Sequence, residues 1–203
     1  MTPWRGSNPL ILASQSRARQ TLLANAGLSF EAIAAEIDER AIQQTSNLSA
    51  PSEIALLLAR EKALWVSSRK PGQYVIGADQ TLALGHRLFD KPRDRGQALD
   101  QLRALAGRRH ELHSAVAVAH DGTIVFAHVV VAGMTMRLLN DTEIAAYLDE
   151  AGEAVVTSSV GGYQLEGLGV HLFERIEGDH FTILGLPLLP LLGFLRGRRL
   201  LAI

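Results

Sequence analysis

The dipeptide Asp121-Gly122 stands between two alternating runs, residues 110–119 and 123–136. Asp-Gly suits a two-residue hairpin turn that needs positive φ at both positions, and alternation gives each flanking strand one apolar face. The middle of the chain is therefore predicted to be a long antiparallel hairpin. Upstream the pattern is different. Residues 9–13 read as a short buried strand. Ser16 then reads as a helix N-cap, Ala18, Leu22, Leu23 and Ala26 mark one helix face, and Gly27 closes that helix. Residues 28–37 are expected to be extended, ending in Asp38-Glu39, and the polar residues 40–50 to form a mobile loop. Residues 52–69 follow as the clearest helix, with Pro51 at its start and Ile54, Leu57, Leu58, Glu61 and Trp65 on one face. Residues 73–78 form a second buried strand that ends at Asp79. Further helices are expected at 95–105, from Asp141 to about Asp149, and at 186–196. A glycine-rich segment, 161–169, precedes a strand at 170–175. Strand and helix alternating, then a hairpin, predict a mixed α/β sheet with helices packed on it.

Composition narrows the chemistry. The 203 residues are 47% hydrophobic and include no cysteine, which excludes a disulfide scaffold, a thiolate metal site and a cysteine nucleophile. Twenty Lys+Arg against 21 Asp+Glu leave a net charge of −1, so a globally basic nucleic-acid binder is not expected, although a local basic pocket is open. The most apolar stretch, 184–195, holds Pro187 and Pro190 and is too short and too broken to span a bilayer. Residues 1–8 carry Trp4 and Arg5 but no apolar stretch of a secretory signal. A cytoplasmic protein without a membrane or nucleic-acid partner is the expectation.

Several side chains invite chemistry. Ser14, Ser16, Arg17 and Arg19 crowd a strand-to-helix junction. A cation in a first helical turn opposes the macrodipole, whereas free backbone N–H groups, hydroxyls and guanidiniums together suit an anion, most naturally a phosphate. A capped helix with two solvated arginines is the plainer alternative. Asp79 lies at the carboxyl end of a buried strand, the edge where open α/β sheets bind ligands, and can hold a divalent metal or act as a base on water; a turn-capping aspartate is the alternative. Asp38-Glu39 is a second acidic pair, and two carboxylates from separate strand ends can share Mg²⁺ or Mn²⁺. By helical angle Glu61 falls inside the apolar stripe and Lys62 at its edge, which suggests a structural ion pair. Lys91 precedes Pro92, which fixes the backbone that aims the amine. The chain holds no G-x-x-x-x-G-K-[ST], G-x-S-x-G or H-E-x-x-H motif.

Taken in order, the segments 12–19, 37–39, 59–63, 76–80, 90–92, 105–107 with His113, 161–163, 166–167, 176–179 and 185–188 resemble the Maf family of nucleoside triphosphate pyrophosphatases. The resemblance covers residues 9–196 as one domain, with 1–8 as an N-terminal extension and 197–203 as a tail. It implies an elongated α/β fold with a mixed sheet and a cleft between two lobes. It also implies a cytoplasmic homodimer, dependent on Mg²⁺ or Mn²⁺, that cleaves a nucleoside triphosphate to the monophosphate and pyrophosphate. By the same resemblance Asp79 is the catalytic acidic residue and Glu39 joins it at the metal. Ser14, Ser16, Arg19, Lys62 and Lys91 hold the triphosphate, and Ala18, Gln80 and Glu166 set the nucleobase. Gln80 and the segment 166–169 look like the branch acting on 7-methyl-GTP rather than that acting on dTTP and UTP. The chain departs from the family where Arg17 replaces a frequent proline, Ala18 an arginine, and Ser158-Ser159 an Asp-Lys pair. A nucleotide-binding regulator of septum formation with little catalysis is the competing expectation.

Overall fold

The computed structural model describes residues 3–203. Its elements are β1 (Leu10–Leu12), α1 (Arg17–Asn25), β2 (Phe30–Ala32), α2 (Glu39–Thr45), α3 (Pro51–Ser67), β3 (Tyr74–Leu84), β4 (Arg87–Phe89), α4 (Arg95–Leu105), β5 (Arg109–His120), β6 (Thr123–Met136), α5 (Asp141–Ala151), α6 (Glu153–Val156), β7 (Phe173–Glu177), α7 (His180–Ile183) and α8 (Leu188–Gly197). The seven strands form one mixed sheet in the order β2-β1-β3-β5-β6-β7, with β4 paired to β3. β1 runs parallel to β2 and β3, whereas β4 is antiparallel to β3 and β7 to β6. The mixed α/β sheet flanked by helices is the fold the sequence predicts. No helix among the described residues is long and apolar enough to cross a membrane.

The chain divides into two compact units, residues 1–80, 114–130 and 180–203 in the first, and 81–113 and 131–179 in the second. In the first, strand alternation sends neighbouring side chains to opposite faces of the sheet. Leu10, Leu12, Ile76, Ala78, Val116 and Val118 pack with α1 residues Leu22 and Leu23 and α8 residues Leu191 and Leu195. On the other face, Ala55, Ala59 and Ala63 of α3 meet Ala115, Ala117 and Ala119 of β5. These small residues let the helix come down onto the sheet. At Gly77 a Cβ would lie 2.1 Å from the Ala59 carbonyl oxygen and 2.7 Å from the Ala63 nitrogen, so only glycine permits this approach. In the second unit α4 starts at its Asp94 cap and α5 at an Asn140–Glu143 capping box. The hairpin turns at Asp121 and Gly122 with φ of 48° and 71°, the positive pair a type I′ turn requires.

Local departures have physical reasons. Residues expected to be a mobile loop hold α2, whose first turn is closed by the Asp38 carboxylate accepting from the Ala41 N–H. The extended segment at 28–37 narrows to β2. β3 does not end at Asp79. It continues to Leu84 because β4 gives its far half an antiparallel partner, while the register with β1 stops at Ile76. The strand expected at 170–175 begins only at Phe173, after a 3-10 turn at Leu168–Leu172. The last helix begins at Leu188, two residues later than expected, after Pro187. The buried stripe of α3 is Ile54, Ala55, Leu58, Ala59, Ala63 and Val66. Leu57, Glu61 and Trp65 lie only at its margin.

Candidate active site

Gly77 and Asp79 are two residues apart on β3 and so share the face on which α3 lies. The close approach at Gly77 brings Lys62, next to Ala63, over Asp79. The Lys62 ammonium stands 2.6 Å from Asp79 Oδ1 and 2.9 Å from Glu39 Oε1, with the Lys62 and Asp79 side chains 12% and 10% exposed. Lys62, placed at the edge of the stripe by helical angle, is thus the inward-reaching charge. The sequence-based placement of Glu61 inside the stripe is corrected, because alanines rather than the large residues centre the helix on the sheet.

Arg19 approaches from α1. Its Nε donates to the Gly185 carbonyl at 2.8 Å, and its Nη1 donates to the Ala78 carbonyl at 2.9 Å and to Ser14 Oγ at 3.3 Å. Ser14 Oγ also accepts from the Ser16 N–H, and Ser16 Oγ caps α1 by accepting from the Arg19 N–H. The anion-binding junction read from the sequence is therefore tied together internally, with Arg19 locked against the residue that precedes Asp79. Burial pushes the Asp79 carboxyl up, opposed by the Lys62 and Arg19 charges. Burial lowers the Arg19 guanidinium, opposed by Asp79 and Glu39. Two cations and two carboxylates offset one another, which is what lets a charged cluster stay inside a fold.

Gln80 points to the opposite face. Its Nε2 donates to Ser114 Oγ at 2.8 Å and to the carbonyls of Thr182 and Ile183 at 3.1 and 3.0 Å. Ser14, Ser16, Arg19, Glu39, Lys62, Asp79 and Gln80 all belong to the first unit, together with Ala18, which is half-buried on α1. Lys91 and Glu166 are exposed residues of the second unit. Sequence reasoning gave no role to Gly77, Ser114, Thr182 or Gly185. The segment containing Gly185 was quoted for its resemblance, and the single signal for Ser114 was a hydroxyl inside an apolar strand.

Two carboxylates from different elements converging on one cation are a hard-oxygen donor set. Mg²⁺ and Mn²⁺ are commonly held by one or two carboxylates, with waters and substrate phosphates completing the shell. Asp79 and Glu39 fit that arrangement. No cluster of three or more metal-binding side chains occurs among the described residues; Asp79 and Glu39 are the carboxylates that would hold such a cation.

A mixed sheet flanked by helices, with a buried carboxylate paired to a lysine on one of its strands, defines an α/β protein with a charged cluster inside its fold. The model of the Maf-like protein family matches residues 9–198, and the chain belongs to that family. It is 70% identical over 200 residues, 98% of each chain, to a nucleoside triphosphate pyrophosphatase of Bradyrhizobium diazoefficiens. It is 68% identical over 202 residues, 100% of each chain, to a protein of the same description from Rhodopseudomonas palustris. To a 7-methyl-GTP pyrophosphatase of Rhizobium etli it is 53% identical over 189 residues, 92% of this chain and 94% of the other.

Proposed function

We propose that this chain hydrolyses the α–β phosphoanhydride of a nucleoside triphosphate, releasing the monophosphate and pyrophosphate, with Asp79 as its catalytic residue. The observation that carries the reading is the buried Asp79 carboxylate paired with Lys62 and lying in the field of the Arg19 charge, in a member of the Maf family whose relatives at 70% and 68% identity are nucleoside triphosphate pyrophosphatases. The chain is accordingly an enzyme, a hydrolase.

Asp79 accepts the proton of the attacking water. A carboxylate whose proton affinity is raised by burial is a better base than a solvated one. The water oxygen bonds to phosphorus as the anhydride bond breaks, and pyrophosphate leaves with the electron pair. Lys62 passes from its carboxylate partners toward the incoming phosphates, Ser14, Ser16 and Arg19 frame the same anion, and the family resemblance assigns Lys91 to triphosphate binding as well. Asp79 and Glu39 would hold Mg²⁺ or Mn²⁺, which when bound would supply Lewis-acid withdrawal of phosphate charge. The reading includes a cytoplasmic homodimer.

Ala18, Gln80 and Glu166 set the base. With the Gln80 amide nitrogen engaged inside the protein, its oxygen is the group suited to accept from an exocyclic amine. The Glu166 carboxylate suits the N1–H and amine of guanine and attracts a positively charged methylated purine. It is a poor partner for the carbonyls of uracil or thymine. The relative at 53% identity, a 7-methyl-GTP pyrophosphatase, supports a guanine-type substrate. The test is Glu166→Gln beside wild type on GTP, 7-methyl-GTP, UTP and dTTP. Guanine-type turnover dominates in wild type and the preference narrows in the variant. A wild-type preference for UTP or dTTP, or an unchanged ratio, overturns this assignment.

A further inference from the structure

We propose that Ser114 is a positioning residue of the hydrolysis, the buried centre of a latch that fixes Arg19 against the Ala78 carbonyl, one residue before Asp79. The proposal deepens the pyrophosphatase reading and, for its kinetic part, rests on it.

Ser114 and Thr182 are both fully buried, each at 0% exposure. A hydroxyl sealed in an apolar layer is unfavourable unless its hydrogen bonds are made. Ser114 Oγ donates to the Thr182 carbonyl at 2.6 Å and accepts from Gln80 Nε2 at 2.8 Å. Gln80 Nε2 also lies within bonding distance of the Thr182 and Ile183 carbonyls. One amide nitrogen has two hydrogens for these three acceptors, so Ser114 supplies the donor the Thr182 oxygen would otherwise have to share.

These carbonyls end α7, a helix of four residues too short to hold its own geometry. The next acceptor along the chain, the Gly185 carbonyl, takes Arg19 Nε at 2.8 Å. Gly185 has φ +87°, and a Cβ there would lie 3.3 Å from Arg19 Nε and 3.6 Å from Gln80 Oε1, so the turn is pressed against both side chains. Arg19 Nη1 then reaches the Ala78 carbonyl, one residue before Asp79. The connection runs from Ser114 and Gln80 through the end of α7 to Arg19, and from Arg19 to the strand that carries the catalytic carboxylate. Every member lies in the first unit. Ser114 touches neither Asp79 nor a position where substrate phosphates gather, so it acts through Arg19.

The test pairs Ser114→Ala with Ser67→Ala. Ser67 is as buried, at 1%, but its Oγ accepts from the Gly122 N–H at the far end of α3. Both variants are measured for melting temperature, for kcat and KM with GTP and UTP, and for hydrogen exchange at the Arg19 Nε–H by NMR. For folded Ser114→Ala the expected results are kcat about tenfold lower on both nucleotides, KM within about twofold of wild type, and Arg19 Nε–H exchange at least about tenfold faster. Ser67→Ala keeps wild-type kcat and exchange. Unchanged Arg19 exchange in Ser114→Ala overturns the latch, whatever the activity. Faster exchange with unchanged kcat overturns its part in the reaction. Equal effects from the two serines reduce Ser114 to ordinary core packing. Wild-type protein that releases no pyrophosphate from any nucleotide refutes the pyrophosphatase reading, and the exchange measurement then decides the latch by itself.

Discussion

In the first unit charged groups are drawn inside the fold beside neutral ones such as Ser114 and Thr182: Lys62 against Asp79 and Glu39, and Arg19 against backbone carbonyls. In the second unit the groups drawn inside are neutral. His110 Nε2 and the Tyr163 hydroxyl share a hydrogen bond at 2.7 Å, and the Tyr147 hydroxyl donates to the Gly162 carbonyl. Burial lowers His110 to about 4 and pushes Tyr147 up to about 12. Both are therefore uncharged at neutral pH. The ion pairs of the second unit, Arg95–Asp149, Arg103–Asp141 and Arg109–Glu177, lie in solvent. Neutral hydrogen-bonded pairs fill an interior at little electrostatic cost, whereas buried charge is expensive and is kept where chemistry uses it. The contrast is the one expected if the proposed hydrolysis uses the unit that holds Asp79.

The sharpest way to break that contrast is at Asp79. Asp79→Asn keeps the shape but removes the base, and kcat is expected to fall about a thousandfold, or about 4 kcal/mol in the barrier, with the fold intact by circular dichroism. Near-wild-type turnover would make the cluster structural, no different in kind from the surface pairs of the second unit. Next in size is Lys62→Met. Removing one partner leaves Asp79 buried beside Glu39 without its ammonium, and the loss is expected to be about 4 kcal/mol in urea unfolding. Arg103→Met, which removes the exposed partner of Asp141, is expected to leave the melting temperature unchanged. Equal losses in the two variants would erase the distinction between the units.

The sequence made the elements legible more readily than their inward faces. The bounds expected for α4, 95–105, are those observed, and in the structure Asp94 caps its start. The hairpin followed from Asp121-Gly122. α2 was not foreseen because Glu39–Thr45 buries no residue. Its one signal was the Asp38 cap. Lys62 was placed at the margin of its helix because Leu57 and Trp65 dominate a count of apolar residues, while the surface that packs closest is alanine against Gly77. Asp79 stands out in the sequence but reads as a strand end, whereas β3 runs on to Leu84 by pairing with β4 across the short turn at residues 85–86. Ser114 and Thr182 were invisible as partners. A serine bonded to a carbonyl 68 positions away leaves no periodic trace.

The neutral interior of the second unit has its own signature. His110 in the folded state binds a proton only near pH 4, whereas in the unfolded chain it does so near 6.5. Between those values the unfolded state holds more protons, so stability rises with pH and is lost as pH falls. The loss from this one group is expected to reach about 3 kcal/mol between pH 6.5 and 4. An NMR titration of the imidazole checks it. A midpoint near 6.5 would mean that His110 is solvated and the contrast overstated. A smaller effect than these is expected at Lys91, an exposed residue of the second unit. Lys91→Ala should lower kcat/KM by about 2 kcal/mol, the scale of one charge-assisted contact, without moving the melting temperature. An unchanged kcat/KM would remove Lys91 from triphosphate binding.

The most direct test follows the phosphorus. Nucleoside triphosphate is incubated with wild-type protein and with Asp79→Asn, with Mg²⁺ present, and the products are read by ³¹P NMR. Wild type is expected to give monophosphate and pyrophosphate in equal amounts while Asp79→Asn gives neither at a comparable rate. Diphosphate with orthophosphate, or pyrophosphate released equally fast by the variant, would contradict the assignment of Asp79 to cleavage of the α–β bond.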